Sequence, residues 1–390
     1  MSVSDILLIM SAFLASYTYI FYPMILFVIA KAFPNPAKSD EAFCPAITIV
    51  ISAYNEEEYI EETIKSIIDS DYPSEKIKIF IGSDGSIDRT NEIITKISQN
   101  DSRIYFTEFE RMGKNQVLNH LLPKVETEFV ILMDADVVIR RSAIRNLLKY
   151  MVDEQTGCTI ASLDTINGSE ENNAGIKGGT LYHKYEENLR VYEAVISSNV
   201  NAMGALYCIR KDLFIPIPND NVCDDLFVVY SIINNNKRVL FARDSRGYEI
   251  RSRSLKNEYN RRIRTVAGGL STISKFSNLL NIFKYGINSF FIWSHKMCRW
   301  MSPLFFILLI LATIFADYDT LTFKIILGTQ LFLYGSAFIG WLFEKIGINI
   351  RFFQIFVFFV SVNNSALAGL LRYIKKQQNS LWNNLGFDDK

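Results

Sequence analysis

The chain has 390 residues, and its 41 lysines and arginines balance 41 aspartates and glutamates, so net charge points to no class of partner and no nucleic-acid ligand is expected. Hydrophobic residues make up 49% of it, including 29 Phe and 19 Tyr, unevenly spread along the chain. Five scattered cysteines (44, 158, 208, 223, 298) form no Cys-x-x-Cys pair, which argues against a zinc or disulfide framework and for a reduced compartment.

Residues 6–30 carry no charge and are long enough for a hydrocarbon core of about 30 Å. They lack the short apolar core and cleavage site of a signal peptide, so a retained transmembrane helix is predicted within 1–33. A polar block, 34–275, follows and has the size of one α/β domain. In it a strand is predicted at 46–52, then a helical pattern carried by Ile60, Ile64, Ile67 and Ile68 and closed by Pro73. "IKIFIGSDGSIDRTNEIITKI" repeats the scheme of apolar strand, Gly-rich turn and helix. A third strand at 103–107, the turn "RMGKN" and a short helix lead into "FVILMDADVVIR", an apolar run that ends in Asp134 and Asp136. Strands alternating with helices predict a doubly wound, mostly parallel sheet, Rossmann-like in class. Ligands of such sheets sit beyond the C-terminal strand ends. Three strands place Tyr54-Asn55-Glu56, Ser83-Asp84-Gly85-Ser86 and Asp134-Ala135-Asp136 there, which predicts one shared crevice.

Two hard carboxylates side by side suit Mg²⁺ or Mn²⁺, which bind one or two carboxylates together with substrate phosphates. Arg111 and Lys114 on the nearby turn can meet the remaining phosphate charge, and Asp84 can accept hydrogen bonds from a base or ribose. Each motif has a plainer reading when taken alone. An Asp-x-Asp is common in loops, "SDGS" suits a turn with a helix cap, and Lys114 suits a solvated charge. Their placement at successive strand ends favours the joint functional reading.

"VISAYNEE", "SDGSIDRT", "RMGKNQVLN" and "MDADVV", in that order, resemble the nucleotide-sugar-binding half of the membrane-bound family 2 glycosyltransferases of the GT-A fold. The likeness continues through "NAMGALYCIRKDLF", "NDNVCDDLFVVYSIINNNKRVLF" and "NEYNRRIRTVAGG" and covers roughly 46–270. It implies inverting transfer of a hexosyl or N-acetylhexosaminyl group from a nucleotide-diphosphate sugar, with UDP the commonest nucleotide. The resemblance puts Ala53, Tyr54, Asn55, Glu56, Asp84, Lys114, Asp134, Ala135, Arg261 and Arg264 at the donor. It gives Asp134 and Asp136 to Mn²⁺ or Mg²⁺, and Gly204 and Ala205 to the acceptor. Asp225, with Asp224 beside it, becomes the base that takes the acceptor hydroxyl proton. A weakly acidic alcohol needs such a base, and like-charge repulsion from Asp224 would raise its pKa. The plainer reading of "DD" is a helix N-terminus, where carboxylates complement the dipole. One departure is the motif Gln-x-x-Arg-Trp of the membrane polymerases. Here Arg261-Arg262-Ile263-Arg264-Thr265 keeps the Arg and lacks the Gln and Trp, which weakens the case for processive synthesis.

Within the acceptor region, "YHKYEENLRVYEAV" (182–195) reads as an amphipathic helix whose Glu186 and Glu193 can line an acceptor groove. Residues 276–302, rich in aromatics interleaved with Lys284, His295, Lys296 and Arg299, suit an interfacial helix. Spans are predicted at 303–316, 321–343 and 352–374, so that 303–375 holds two or three transmembrane helices, and 376–390 is a tail. Lys31, Lys38, Lys296, Arg299, Lys345 and Arg351 put the catalytic domain in the cytoplasm of a multi-pass plasma-membrane protein. Lys375 and Lys376 disagree if the last segment crosses. His120, His183 and His295 share no ligand spacing, and "NGS" at 167 is set aside as cytoplasmic. The expected partners are a nucleotide-sugar donor, a glycan or lipid-linked acceptor, the lipid membrane and proteins of polysaccharide export. Two alternatives stand beside this reading: a Mg²⁺-dependent phosphohydrolase, whose motifs occur here in the wrong order, and a nucleotide-binding scaffold without activity.

Overall fold

The computed structural model describes residues 3–167, 174–202, 204–251, 255–348 and 350–377, without the side chains of 165–167, 174–181, 250–251 and 255–258. Gly168 and Ser169 of the "NGS" tripeptide and most of the expected tail lie outside these residues. An eight-stranded sheet forms the centre, in the order β3-β2-β1-β4-β7-β6-β8-β5. Its strands are β1 (Ile47–Ala53), β2 (Ile77–Asp84), β3 (Ile104–Phe109), β4 (Phe129–Asp134), β5 (Val137–Ile139), β6 (Thr156–Asn167), β7 (Leu206–Arg210) and β8 (Arg238–Arg251). The first four run parallel, as the alternation of strands and helices predicts. The other half is mixed, because β7 runs antiparallel to both β4 and β6, while β6 and β8 are parallel.

Period-two alternation sorts β1 between two cores. Ile47, Ile49 and Ile51 face one layer with Ile60, Ile64 and Ile67 of α2 (Ile60–Ile68). That layer also holds Ile94 of α3 (Thr90–Ser98) and Leu147 of α5 (Ala143–Leu148). Val50 faces the opposite layer with Val117 of α4 (Lys114–Leu121). This second core continues through Tyr230 of α7 (Asp224–Asn234) and Leu270 of α8 (Leu255–Lys275) to Tyr22, Leu26, Phe291 and Trp300. Those last four residues belong to membrane-length helices. The sheet and the apolar helices therefore share one core.

Four helices among the described residues are long and apolar enough to cross a membrane: α1 (Val3–Ala32), α9 (Ile287–Ile314), α10 (Leu321–Lys345) and α11 (Arg351–Ile374). Their helix α9 begins inside the stretch expected to lie in the interface. Pro303 sits within it and leaves the Arg299 carbonyl without its usual donor, and Ser302 Oγ donates to that carbonyl at 2.8 Å. The C-terminal half of α11 packs on α8. Gly369 lies so close to α8 that a Cβ there would stand 2.7 Å from Val266 Cβ and 3.0 Å from the Ile263 carbonyl oxygen.

Candidate active site

Parallel register brings the C-terminal ends of β2, β1 and β4 side by side, with Ser52 level with Asp134 and Ala53 with Ser83. A cavity of about 580 Å³ opens there. Tyr54, Glu56, Asp84, Lys114, Asp134, Ala135 and Asp136 line it, so the three predicted clusters do converge. Ala53 and Asn55 do not line it. Ala53 is fully buried in β1. Asn55 turns the chain with a φ of 54°, receiving the Ile87 N–H on its Oδ1 at 2.9 Å.

Asp84 is buried and already committed. It accepts the backbone N–H groups of Met112 (2.7 Å) and Gly113 (2.9 Å) and pairs with the Arg111 guanidinium. Arg111 in turn lies over the Tyr54 ring, 3.4 Å from its centroid. In this arrangement Asp84 holds the Arg111 turn against the end of β2. Gly85 permits the approach: its φ is 69°, and a Cβ would lie 2.8 Å from the Arg111 nitrogen.

Lys114 joins the two halves of the cavity. Its Nζ stands 2.7 Å from Asp134 Oδ1 and 2.9 Å from Asp224 Oδ2. Burial works against this ammonium, but the two carboxylates prevail and hold its pKa above the ordinary lysine value. Asp224 and Asp225 open α7, in the first turn where the helix dipole favours anions. The Leu226 N–H donates to Asp225 Oδ1 at 2.7 Å. Burial, and then repulsion by Asp224, push the Asp225 carboxyl up to about 6. Gly204 lies against it, since a Cβ there would sit 2.7 Å from Asp225 Oδ2. Gly204, Ala205, Arg261 and Arg264 all line the same cavity.

Residues 48–214 match the sequence profile of "Glycosyl transferase family 2". The chain carries a family 2 glycosyltransferase domain. The match includes the Asp134-Ala135-Asp136 motif, which the phosphohydrolase alternative needs as its nucleophile. The chain is 26% identical over 218 residues to "Glycosyltransferase GlyA" of Streptococcus pneumoniae, a stretch that is 54% of this chain and 31% of that protein. It is 24% identical over 230 residues to the poly-beta-1,6-N-acetyl-D-glucosamine synthase of Staphylococcus aureus, 57% of this chain and 54% of that one. The chain thus spans about half, or less, of the length of these relatives. Among solved structures, a mannosyltransferase from Pyrobaculum calidifontis, in complex with GDP-Man and Mn²⁺, superposes with a TM-score of 0.73 at 18% identity. It covers 96% of this chain and 100% of its own. The family 2 domain and its apolar helices therefore share a whole-chain fold with that protein.

The far wall of the family 2 domain's cavity holds residues that sequence reasoning missed. Arg190 of α6 (Ala174–Ile196), Lys296, Arg299 and Trp300 of α9, and Phe358 and Val362 of α11 line it. Trp300 supplies an indole from a membrane-length helix, packed on Gly269 of α8, whereas the polymerase motif would carry its Trp in 261–265. A signal for these residues was present: cations inside an apolar stretch are costly unless they face a cavity or a partner.

Metal fit turns on Asp134 and Asp136. No group of three or more acidic, histidine or cysteine side chains with metal-holding geometry occurs among the described residues. A pair of hard oxygens on a cavity wall fits a cation that completes its shell with substrate phosphates. Lys114 supplies the positive charge at Asp134 in this structure.

Proposed function

We propose that the protein is an inverting glycosyltransferase of the membrane, moving a sugar from a nucleotide-diphosphate sugar to a glycan or lipid acceptor in polysaccharide or glycolipid assembly. UDP is the proposed nucleotide, the catalytic domain faces the cytoplasm, and the sugar is a hexosyl or N-acetylhexosaminyl group. The observation that carries the reading is the cavity uniting Asp134 and Asp136, within the family 2 match, with Asp225 beyond it. The synthase likeness supports an N-acetylhexosamine, while the fold likeness to a protein solved with GDP-Man keeps the nucleotide a matter for experiment.

Tyr54, Glu56 and the Arg111 turn take the nucleotide. Asp134 and Asp136 would hold Mn²⁺ or Mg²⁺, which as a Lewis acid neutralises charge on the leaving diphosphate. Arg261 and Arg264 reach the same phosphates. Lys114 exchanges its carboxylate partners for diphosphate oxygens as the donor enters. The acceptor hydroxyl attacks the anomeric carbon opposite the leaving group, its proton passes to Asp225, and the bond to the diphosphate breaks. Partners for export of a polysaccharide product belong to this same proposal.

The test is release of UDP or GDP from a panel of nucleotide sugars by detergent-purified protein with Mn²⁺ or Mg²⁺. Release is expected with at least one donor, falling about 100-fold or more in Asp136→Ala and Asp225→Ala. Nucleotide binding without turnover on any donor, with membrane lipids added as acceptors, would favour a scaffold instead.

A further inference from the structure

Asp224 and Asp225 begin α7, yet the residue at the N-cap, Cys223, makes no capping hydrogen bond with its side chain. A helix start without such a bond lacks the stabilisation a capping side chain gives, and here that turn carries the proposed base. What holds it lies just upstream, in the strap 215–223 that leads into α7. Asn221 is 2% exposed, and all four of its polar atoms are engaged. Its N–H donates to the Pro218 carbonyl at 3.0 Å, and its own carbonyl accepts from Asn115 Nδ2 at 2.7 Å. The side-chain Nδ2 donates to the Cys223 carbonyl at 2.8 Å, the same carbonyl that accepts the Phe227 N–H in the opening bond of α7. The side-chain Oδ1 accepts from Thr272 Oγ1 of α8 at 3.0 Å.

One stripe of α8 receives the strap. Thr272 is fully buried, and its hydroxyl proton is shared between Asn221 and the Gly268 carbonyl, also at 3.0 Å. One turn earlier, Gly268 lets the strap close in: a Cβ there would lie 2.8 Å from Cys223 Sγ and 3.1 Å from Val222 Cβ. A further turn back, the Cys223 thiol donates to the Thr265 carbonyl at 3.8 Å. Positions 265, 268 and 272 fall on one helix face. On its other side the strap is held by α4, where Asn119 Nδ2 donates to the Ile217 carbonyl at 2.8 Å and Asn119 Oδ1 accepts the Ile217 N–H at 2.9 Å. α4 opens with Lys114 and α8 carries Arg261 and Arg264, all lining the cavity. Asn221 therefore sits where these two helices meet the chain, three residues before Asp224.

We propose that Asn221, latched by the Thr272 hydroxyl, is a positioning residue for Asp225, tying the first turn of α7 to the helices that carry the donor's cations. Its polar atoms are all turned to protein partners, so it acts through the turn and not on substrate. The role rests on Asp225 being the base of the glycosyltransferase reading; the latch itself does not. A reacting group displaced by about 1 Å can lose on the order of 100-fold in rate, so a base on an otherwise uncapped turn needs such a tether.

The experiment takes two readouts from the full chain in detergent. The first is alkylation of Cys223 by N-ethylmaleimide, followed by mass spectrometry of its peptide, and it needs no donor. Thr272→Val keeps the side-chain shape without the hydroxyl and should speed alkylation about fivefold or more. Thr272→Ser should restore the wild-type rate, and the buried Cys158 and Cys208 should stay unreactive in both, which shows that the fold is kept. The second readout is nucleotide release from a donor that wild type turns over. Thr272→Val and Asn221→Leu should each lower kcat about tenfold or more at nearly unchanged donor KM. In an Asp225→Asn background Thr272→Val should lower kcat no further, because its effect passes through that carboxylate. Alkylation at the wild-type rate in Thr272→Val overturns the latch. Faster alkylation with unchanged kcat, or a loss that adds in full to that of Asp225→Asn, overturns the positioning role. An Asp225→Asn protein with wild-type kcat overturns the base assignment instead, and the positioning role falls with it while the alkylation result stands.

Discussion

The carboxyl of Asp225 is held near neutrality by its surroundings. Burial disfavours its charge, Asp224 repels it, and it is pushed up to about 6. As a general base it acts only when deprotonated, so kcat/KM should rise with pH and level off above about 6. Asp224→Asn removes the repulsion and should move that acid limb to lower pH. A limb that stays in place in Asp224→Asn would sink the assignment, and initial rates measured with saturating donor decide it. Residues at this scale were legible where a buried strand ends in polar groups, as with Glu56, Asp134 and Asp136. Lys114 was legible as a residue of the crevice, though not as the bridge between Asp134 and Asp224. Arg111, expected at the phosphates, lines the cavity and also clamps Asp84, because the turn that follows β3 folds back over the end of β2. The fit of Gly204 against Asp225 depends on β7 meeting α7, which no local pattern announces.

At the scale of elements, the seam between α6 and α9 ties the catalytic domain to the apolar helices. His295 lies between Glu186 Oε2 (3.0 Å) and Glu193 Oε1 (2.5 Å). Glu193 also receives the Tyr22 hydroxyl of α1 at 2.6 Å, so three helices meet on one fully buried carboxylate. Glu186 additionally accepts from Asn201 Nδ2 at 3.0 Å and pairs with Arg299. Removing it strands a buried guanidinium, a loss of about 3–5 kcal/mol. Glu186→Ala should therefore lower the thermal midpoint in detergent clearly, and an unchanged midpoint would deny the seam its structural role. The amphipathic helix at 182–195 was predicted with both glutamates in an acceptor groove. Glu186 does line the cavity, while Glu193 lies behind it among its partners. The partners of His295 lie 102 and 109 residues away in sequence, and that separation hid the seam. The parallel half of the sheet was readable for the opposite reason, since each strand and its helix are neighbours in the chain.

For the molecule as a whole, the contact of α11 with α8 bears on topology. Because Gly369 rests on Val266 of the catalytic domain, Lys375 and Lys376, just beyond α11, emerge beside that domain. On the proposed cytoplasmic orientation, an α11 lying along the membrane face of the domain while α1, α9 and α10 cross would bring the two lysines that broke the positive-inside pattern into line with it. In sealed inside-out vesicles, a protease should reach the catalytic domain and a tag fused after Gln377 together. In right-side-out vesicles it should reach neither. Cleavage of one without the other would overturn this arrangement. The shared core has a consequence for how the protein meets its acceptor. One wall of the cavity is sheet and the opposite wall is membrane-length helix, so an acceptor carried on a lipid would enter sideways from the plane of the membrane. For such an acceptor the concentration that matters would be its mole fraction among neighbouring lipids rather than its amount per volume of cell.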